Sequence, residues 1–150
     1  MAIKKNGKIV IYTDGGSRGN PGPAAVGVVV KDEKKRIIKN YAKSIGSKTN
    51  NEAEYEAVIF ALQKIRQIFG KEKIKNLEIE IRMDSELVAR QLRGEYKILE
   101  EKLFPLFIKI WNLKISFPFL DFREIPREQN KEADRLVNEI LDKGRAQPLF

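Results

Sequence analysis

Apolar and polar positions alternate in three short runs over the first third of the chain. Lys8 to Thr13 puts Ile9 and Ile11 on one side and Val10 and Tyr12 on the other, the pattern of a strand covered on both faces. A glycine-rich stretch, DGGSRGNPGPA from Asp14 to Ala24, precedes a second predicted strand, Ala24 to Lys31, and KDEKK reads as that strand's exit turn. Arg36 to Ile45 gives a third, so these strands are expected to form an antiparallel meander. The period then changes. From Asn51 to Phe69, Ala57, Val58, Ala61, Leu62, Ile65, Ile68 and Phe69 recur at helical spacing and predict an amphipathic helix ending at Gly70.

Strict alternation returns at Leu77 to Met83, with Leu77, Ile79, Ile81 and Met83 against Glu78, Glu80 and Arg82, and predicts a strand with one wet face. A short helix is expected from Ser85 to Leu92. Another falls within LEEKLFPLFIKIWNLK, its start shortened by Pro105. Phe117 to Ile125 reads as a fifth strand whose ladder Pro118 confines to the later residues. Asn130 is the expected cap of a last helix with Ala133, Leu136, Val137, Ile140 and Leu141 as its inner stripe. The order βββαβααβα predicts a single α/β domain over residues 1–150. Phe104, Phe107, Trp111, Phe117, Phe119 and Phe122 are expected in its core.

Composition narrows the chemistry. The chain has neither His nor Cys, which rules out imidazole and thiolate catalysis. The opening MAIKKNGKIVIYTD has too short an apolar run for a signal peptide or anchor, and no stretch reaches 18 apolar residues, so a cytoplasmic protein without a membrane span is expected. Residues 1–50 carry 11 Lys+Arg against 3 Asp+Glu, while residues 51–150 carry 18 of each, so the whole +8 excess lies in the first third. Such an excess reads either as solvated lysines or as a face for a polyanion.

Carboxylates stand where sheets bind ligands. Asp14 follows the first strand and Asp84 the fourth; if those strands are parallel neighbours, both acids lie at their C-terminal ends. Glu54 lies on the inner stripe of the long helix with Val58, Ala61 and Ile65. A competing reading makes Asn51 that helix's cap and Glu54 its capping-box partner. Asp84 could likewise be a helix cap, and Asp134 could merely complement its helix dipole. Converging carboxylates with only oxygen donors suit Mg2+ or Mn2+, and two such ions can activate water and stabilise a leaving oxygen in phosphodiester hydrolysis. The glycines beside Asp14 leave room for a bulky backbone such as a nucleic acid, with Arg18 and Asn20 on the rim.

These residues resemble type 1 ribonuclease H. YTDGGSRGNPGPAAVGVV is similar to that family's opening hairpin, TNNEAEYEAVIFAL to its glutamate-bearing helix, IRMDSELV to its strand-end aspartate and REQNKEADRLVN to its last motif. The resemblance runs from Lys8 to about Leu141. It implies an α/β ribonuclease H-like fold, a five-stranded mixed sheet with its first three strands antiparallel and helices on both faces. The implied activity is metal-dependent hydrolysis of the RNA strand of RNA–DNA hybrids, leaving 3′-hydroxyl and 5′-phosphate ends. Carried over, Asp14 bridges two ions, Glu54 is a ligand that also senses the 2′-hydroxyl, Asp84 sits near the attacking water, and Asp134 holds the other ion. Asn20 and Asn51 fall near the minor groove with Asn50 beside them, Thr49 at a phosphate of the DNA strand, and Gly15 and Arg18 count among the substrate-binding residues. A monomer is expected. Cleavage of double-stranded RNA as well, or hybrid binding without turnover, are the alternatives.

The chain departs from the family pattern twice. Many members carry a histidine in the loop before the last motif; here Arg127 is the residue nearest that role, with an ordinary surface arginine as the competing reading. Residues 92–103, LRGEYKILEEKL, have no net charge, so the lysine-rich protrusion of many bacterial members looks absent. Without histidine, no imidazole titration is expected near pH 6–7.

Overall fold

The structure, a computed structural model, describes residues 6–146 and their side chains up to Gly144; Lys4 and Lys5 of the basic N-terminal third lie outside the described residues. Three long strands, β1 (Lys8–Ser17), β2 (Gly22–Asp32) and β3 (Ile37–Lys48), form the meander. The helix α1 (Asn50–Phe69) crosses to β4 (Glu78–Met83), α2 (Glu86–Leu92) and α3 (Phe104–Lys114) lead to β5 (Phe119–Glu124), and α4 (Lys131–Ala146) closes the order. The sheet runs β3-β2-β1-β4-β5, with β1 antiparallel to β2, β2 to β3, and β1 parallel to β4 and β4 to β5. Among the described residues no helix is long and apolar enough to cross a membrane.

Side-chain alternation assigns the helices to two faces. Ile9 and Ile11 of β1 and Val26, Val28 and Val30 of β2 face one way, into the main core with Val58, Leu62 and Ile65 of α1. Ala25 faces the other way, against Val137 and Leu141 of α4. Both helices come very close to the strands. A Cβ on Gly15 would collide with the Ala53 carbonyl and the Glu54 nitrogen of α1, and one on Gly27 would stand 2.6 Å from the Ala133 carbonyl of α4. The glycines next to Asp14 therefore admit the protein's own helices, a use the sequence reading did not assign them.

Several boundaries moved. The first strand does not stop at Asp14 but continues to Ser17, because Asp14, Gly15, Gly16 and Ser17 pair with Gly27, Val26, Ala25 and Ala24. The face of β4 expected to be wet is partly closed: Glu80 is 5% exposed, with Arg82 Nη2 at 2.8 Å and Arg123 Nε at 2.7 Å. Cations on the same face, in the strand itself and on β5, compensate its burial. Two aromatic residues expected in the core are on the surface, Phe104 at 44% and Trp111 at 57% exposure. Ile110 is the buried contact of α3, and Phe104, Ile108 and Trp111 occupy the helix face turned away from it. Phe117 and Phe122 are buried, and Phe107 and Phe119 partly so.

Candidate metal centre

Parallel pairing of β1 with β4 is in register from Lys8↔Glu78 to Tyr12↔Arg82, so Asp14 and Asp84, each two residues further, end up side by side. Helix α1 supplies the third acid. Its N-cap is Thr49, whose Oγ1 accepts from Glu52 N at 3.1 Å while Glu52 Oε1 accepts from Thr49 N at 3.0 Å. The capping box is thus Thr49–Glu52, two residues earlier than Asn51–Glu54, and Glu54 has no capping duty. Its Oε1 instead accepts from Gly15 N at 2.7 Å, a contact that the missing Gly15 side chain permits. Asp84 is not a cap either, since Ser85 Oγ accepts from Val88 N to begin α2.

The result is one constellation. Asp14, Glu54 and Asp84 each offer a carboxylate oxygen, and these three atoms lie within 4.8 Å of one another. Asp14 and Glu54 are each 8% exposed. Burial, then the charge of Asp84, push the Asp14 carboxyl up to about 7. Burial and the Asp14 charge push Glu54 well above the ordinary carboxyl range, against the opposing hydrogen bond from Gly15 N. Burial and mutual repulsion thus favour the protonated form of both carboxyls. Among the described residues no Lys or Arg is paired with these acids, and an all-oxygen donor set of this size fits a hard divalent ion.

An open cleft of about 460 Å³ surrounds the acids, lined also by Gly15, Arg18, Asn50, Asn51, Arg127 and Asp134. Asp134, in the first turn of α4, stands outside the three-carboxylate group yet close enough for its charge to act on Asp14. Thr49 and Asn20 lie outside the lining: Asn20 Oδ1 accepts from Asn50 N at 2.9 Å, and Asn50 Oδ1 accepts from Ser17 N at 3.0 Å. Asn51 Nδ2 donates to Glu100 Oε1 at 2.7 Å. Arg18 turns toward α4, its Nη2 donating to Asn138 Oδ1 at 3.1 Å and Asp142 Oδ1 at 2.9 Å.

The family pattern described as reverse transcriptase-like matches residues 12–140. LC11-RNase H1, isolated from compost by a metagenomic approach, has a structure that superposes with a TM-score of 0.88 at 49% identity, covering 94% of this chain and all of that one. The chain belongs to the type 1 ribonuclease H family. A second structure of LC11-RNase H1, in complex with an RNA/DNA hybrid, gives a TM-score of 0.87 at 50% identity over 92% of this chain and 99% of that one. Ribonuclease HI of Halobacterium salinarum is 39% identical over 138 residues, 92% of this chain and 66% of that protein. The chain spans about a third, 36%, of the length of the bifunctional protein Rv2228c of Mycobacterium tuberculosis, at 37% identity over 90% of this chain.

In this ribonuclease H fold Asn130 has a task that the sequence reading missed. Expected as a helix cap, it is 1% exposed, and its Nδ2 donates to Thr13 O at 2.9 Å and to Asp84 Oδ2 at 3.3 Å. It ties the Asp84 carboxylate to the backbone of β1 just before Asp14. No local pattern announces such a contact, because its partners are 117 and 46 residues away. Asn138 and Asp142 were also passed over, although their spacing of four and eight residues from Asp134 places them on one helix face.

Proposed function

We propose that the chain is a divalent-metal-dependent endonuclease that hydrolyses the RNA strand of RNA–DNA hybrids and leaves 3′-hydroxyl and 5′-phosphate ends, as one catalytic domain and as a monomer. The observation that carries this reading is the convergence of Asp14, Glu54 and Asp84 in an open cleft, in a chain with no histidine or cysteine. The hybrid complex of LC11-RNase H1, at 50% identity, supports the substrate.

Bound at these acids, Mg2+ or Mn2+ ions supply an activated water and a counter-charge for the leaving oxygen. Asp14 would be the ligand shared by both ions. Glu54 would be a further ligand and would also read the 2′-hydroxyl beside the scissile phosphate. Asp84, steadied by Asn130, would be a ligand near the attacking water, and Asp134 would help hold the other ion. Thr49 accepts through its oxygen in the capping box, which leaves its hydroxyl proton to donate to a phosphate of the DNA strand. Gly15, Asn20, Asn50 and Asn51 form the groove-facing edge. Contacts to backbone, groove and 2′-hydroxyl suit an enzyme that ignores base sequence. The test is a parallel cleavage assay on hybrid, RNA duplex and DNA duplex in Mg2+ and in Mn2+. Cleavage of the RNA duplex alone would replace this substrate assignment.

Arg127 lines the cleft from the loop before α4 and is exposed. Arginine stays charged and can hold or guide phosphate but does not shuttle protons. Arg127→Ala is therefore expected to slow multiple turnover about 10-fold and single turnover much less, as burst and single-turnover kinetics will report. Equal losses in both would move it into the chemical step.

The basic third of the chain divides. The β2–β3 turn with Lys34 and Lys35 is at the start of β1, where Ile9 pairs with Asp32, roughly 16 Å from Asp14 at the usual strand rise. Lys31 is already paired with Glu132 Oε1 at 2.8 Å, and Lys39 lies over the Tyr41 ring. Neutralising Lys31, Lys34, Lys35 and Lys39 together is expected to leave the salt dependence of hybrid affinity unchanged; a slope reduced by about one or more per residue would place them on the substrate.

A further inference from the structure

We infer that Asn138 is a positioning residue for Asp134, and that Arg18 acts on the metal site through Asn138. Asp134 differs from its fellow acids in having an exposed side chain, with no strand end or helix stripe to hold it. Its fixed contact is Asn138, one helical turn on, whose Nδ2 donates to Asp134 Oδ2 at 3.2 Å. That bond engages Oδ2 of a carboxylate that lines the cleft and acts on Asp14. A carboxylate tethered by one oxygen loses less rotamer freedom when the other takes a ligand, so the tether lowers the entropy cost of binding an ion there.

An asparagine amide can turn either edge toward a neighbour, and the wrong edge would set oxygen against oxygen. Arg18 removes that choice. Its guanidinium can only donate, and Nη2 donates to Asn138 Oδ1 at 3.1 Å, which leaves Nδ2 as the edge facing Asp134. Asp142, another turn along α4, accepts from the same nitrogen at 2.9 Å and holds the arginine there. The Arg18 side chain is 25% exposed and that of Asp142 66%, so the arginine is the sheltered member of this pair. Asp142, Arg18, Asn138 and Asp134 thus link the tip of the β1–β2 hairpin to the metal end of α4. The hairpin is itself pinned to α1, through Asn20 Oδ1 on Asn50 N and Asn50 Oδ1 on Ser17 N. One loop therefore sets the position of two helices that carry site acids.

The inference rests on the metal-site reading above, and the experiment keeps the two separable. Mn2+ binding is measured by electron paramagnetic resonance on the protein bound to a cleavage-resistant hybrid with a 2′-fluoro RNA strand, for the unmodified chain, Asn138→Ala, Arg18→Met and the double variant. Thermal melts check folding; Ala is a good helix former at position 138, and Met keeps the stem of Arg18. Asn138→Ala is expected to weaken the second Mn2+ about 10-fold, with hybrid affinity unchanged. Arg18→Met is expected to do the same, and the double variant to lose no more than the larger single loss, because both changes break one chain of contacts. Unchanged Mn2+ affinity in Asn138→Ala overturns the positioning role. A loss of hybrid affinity in Arg18→Met with Mn2+ binding intact makes Arg18 a direct substrate contact and overturns its action through Asn138. If the unmodified chain binds no Mn2+, the metal-site reading fails first.

Discussion

Asp14→Asn is expected to lower hybrid cleavage on the order of 10³-fold or more while leaving hybrid affinity within about twofold. The amide keeps the size of the side chain and removes the charge of the ligand that both ions are proposed to share. The residues proposed to bind the hybrid lie along the cleft edge, and this change does not touch them. The same substitution is expected to stabilise the metal-free protein, because Asp14 is buried beside Asp84 and Glu54 with no cation among them. Calorimetric metal titration next to single-turnover cleavage checks the first part, and thermal melts in chelator check the second. Cleavage near the unmodified rate would make Asp14 a structural strand residue.

The second large effect is a pH dependence of stability that metal reverses. In the folded protein Asp14 titrates at about 7, against an ordinary 3.8, with burial as the first cause. The folded state therefore binds more protons than the unfolded chain between these values. The stability this group contributes is full below about pH 4 and is lost as pH rises through about 7. The shift of Glu54 has the same direction and adds to the loss. Relative to Asp14→Asn, the metal-free unmodified protein is expected to lose on the order of 2–4 kcal/mol between pH 4 and pH 8. Saturating Mg2+ or Mn2+ should restore it, since the ions replace the protons. Half-saturation by metal should accordingly rise as pH falls below about 7, and at saturating metal the rate of the chemical step should climb smoothly with pH. Urea unfolding of both proteins across pH, with chelator and with metal, gives the comparison; parallel curves would mean that the acids do not crowd one another. The chain lacks imidazole, yet its empty site holds a carboxyl that titrates where an imidazole would.

Much of this was legible in the sequence because the signals are local. The order of elements followed from period alone, and Asp14 and Asp84 were placed together by two strand ends and one crossover. Where reading failed, the deciding contact was remote in sequence. Asn51 and Thr49 are equally good caps by composition, and only the fit of Glu52 into the box at Thr49 released Glu54 for Gly15. The glycines of β1 looked like a loop because β-propensity disfavours glycine, whereas pairing with β2 and the approach of α1 need residues without side chains. Trp111 and Phe104 looked like core because size and apolarity usually mean burial, but α3 has more apolar faces than the fold covers. Asn130 and Asn138 carry no pattern of their own; their meaning depends on which carboxylate each one meets.

The most direct test of the central claim is single-turnover cleavage of an RNA–DNA hybrid labelled on its RNA strand, with and without Mg2+ or Mn2+. The expected result is RNA fragments ending in 3′-hydroxyl and 5′-phosphate, formed only with metal and with the DNA strand intact. An RNA strand left whole by the folded, metal-loaded protein would contradict the account.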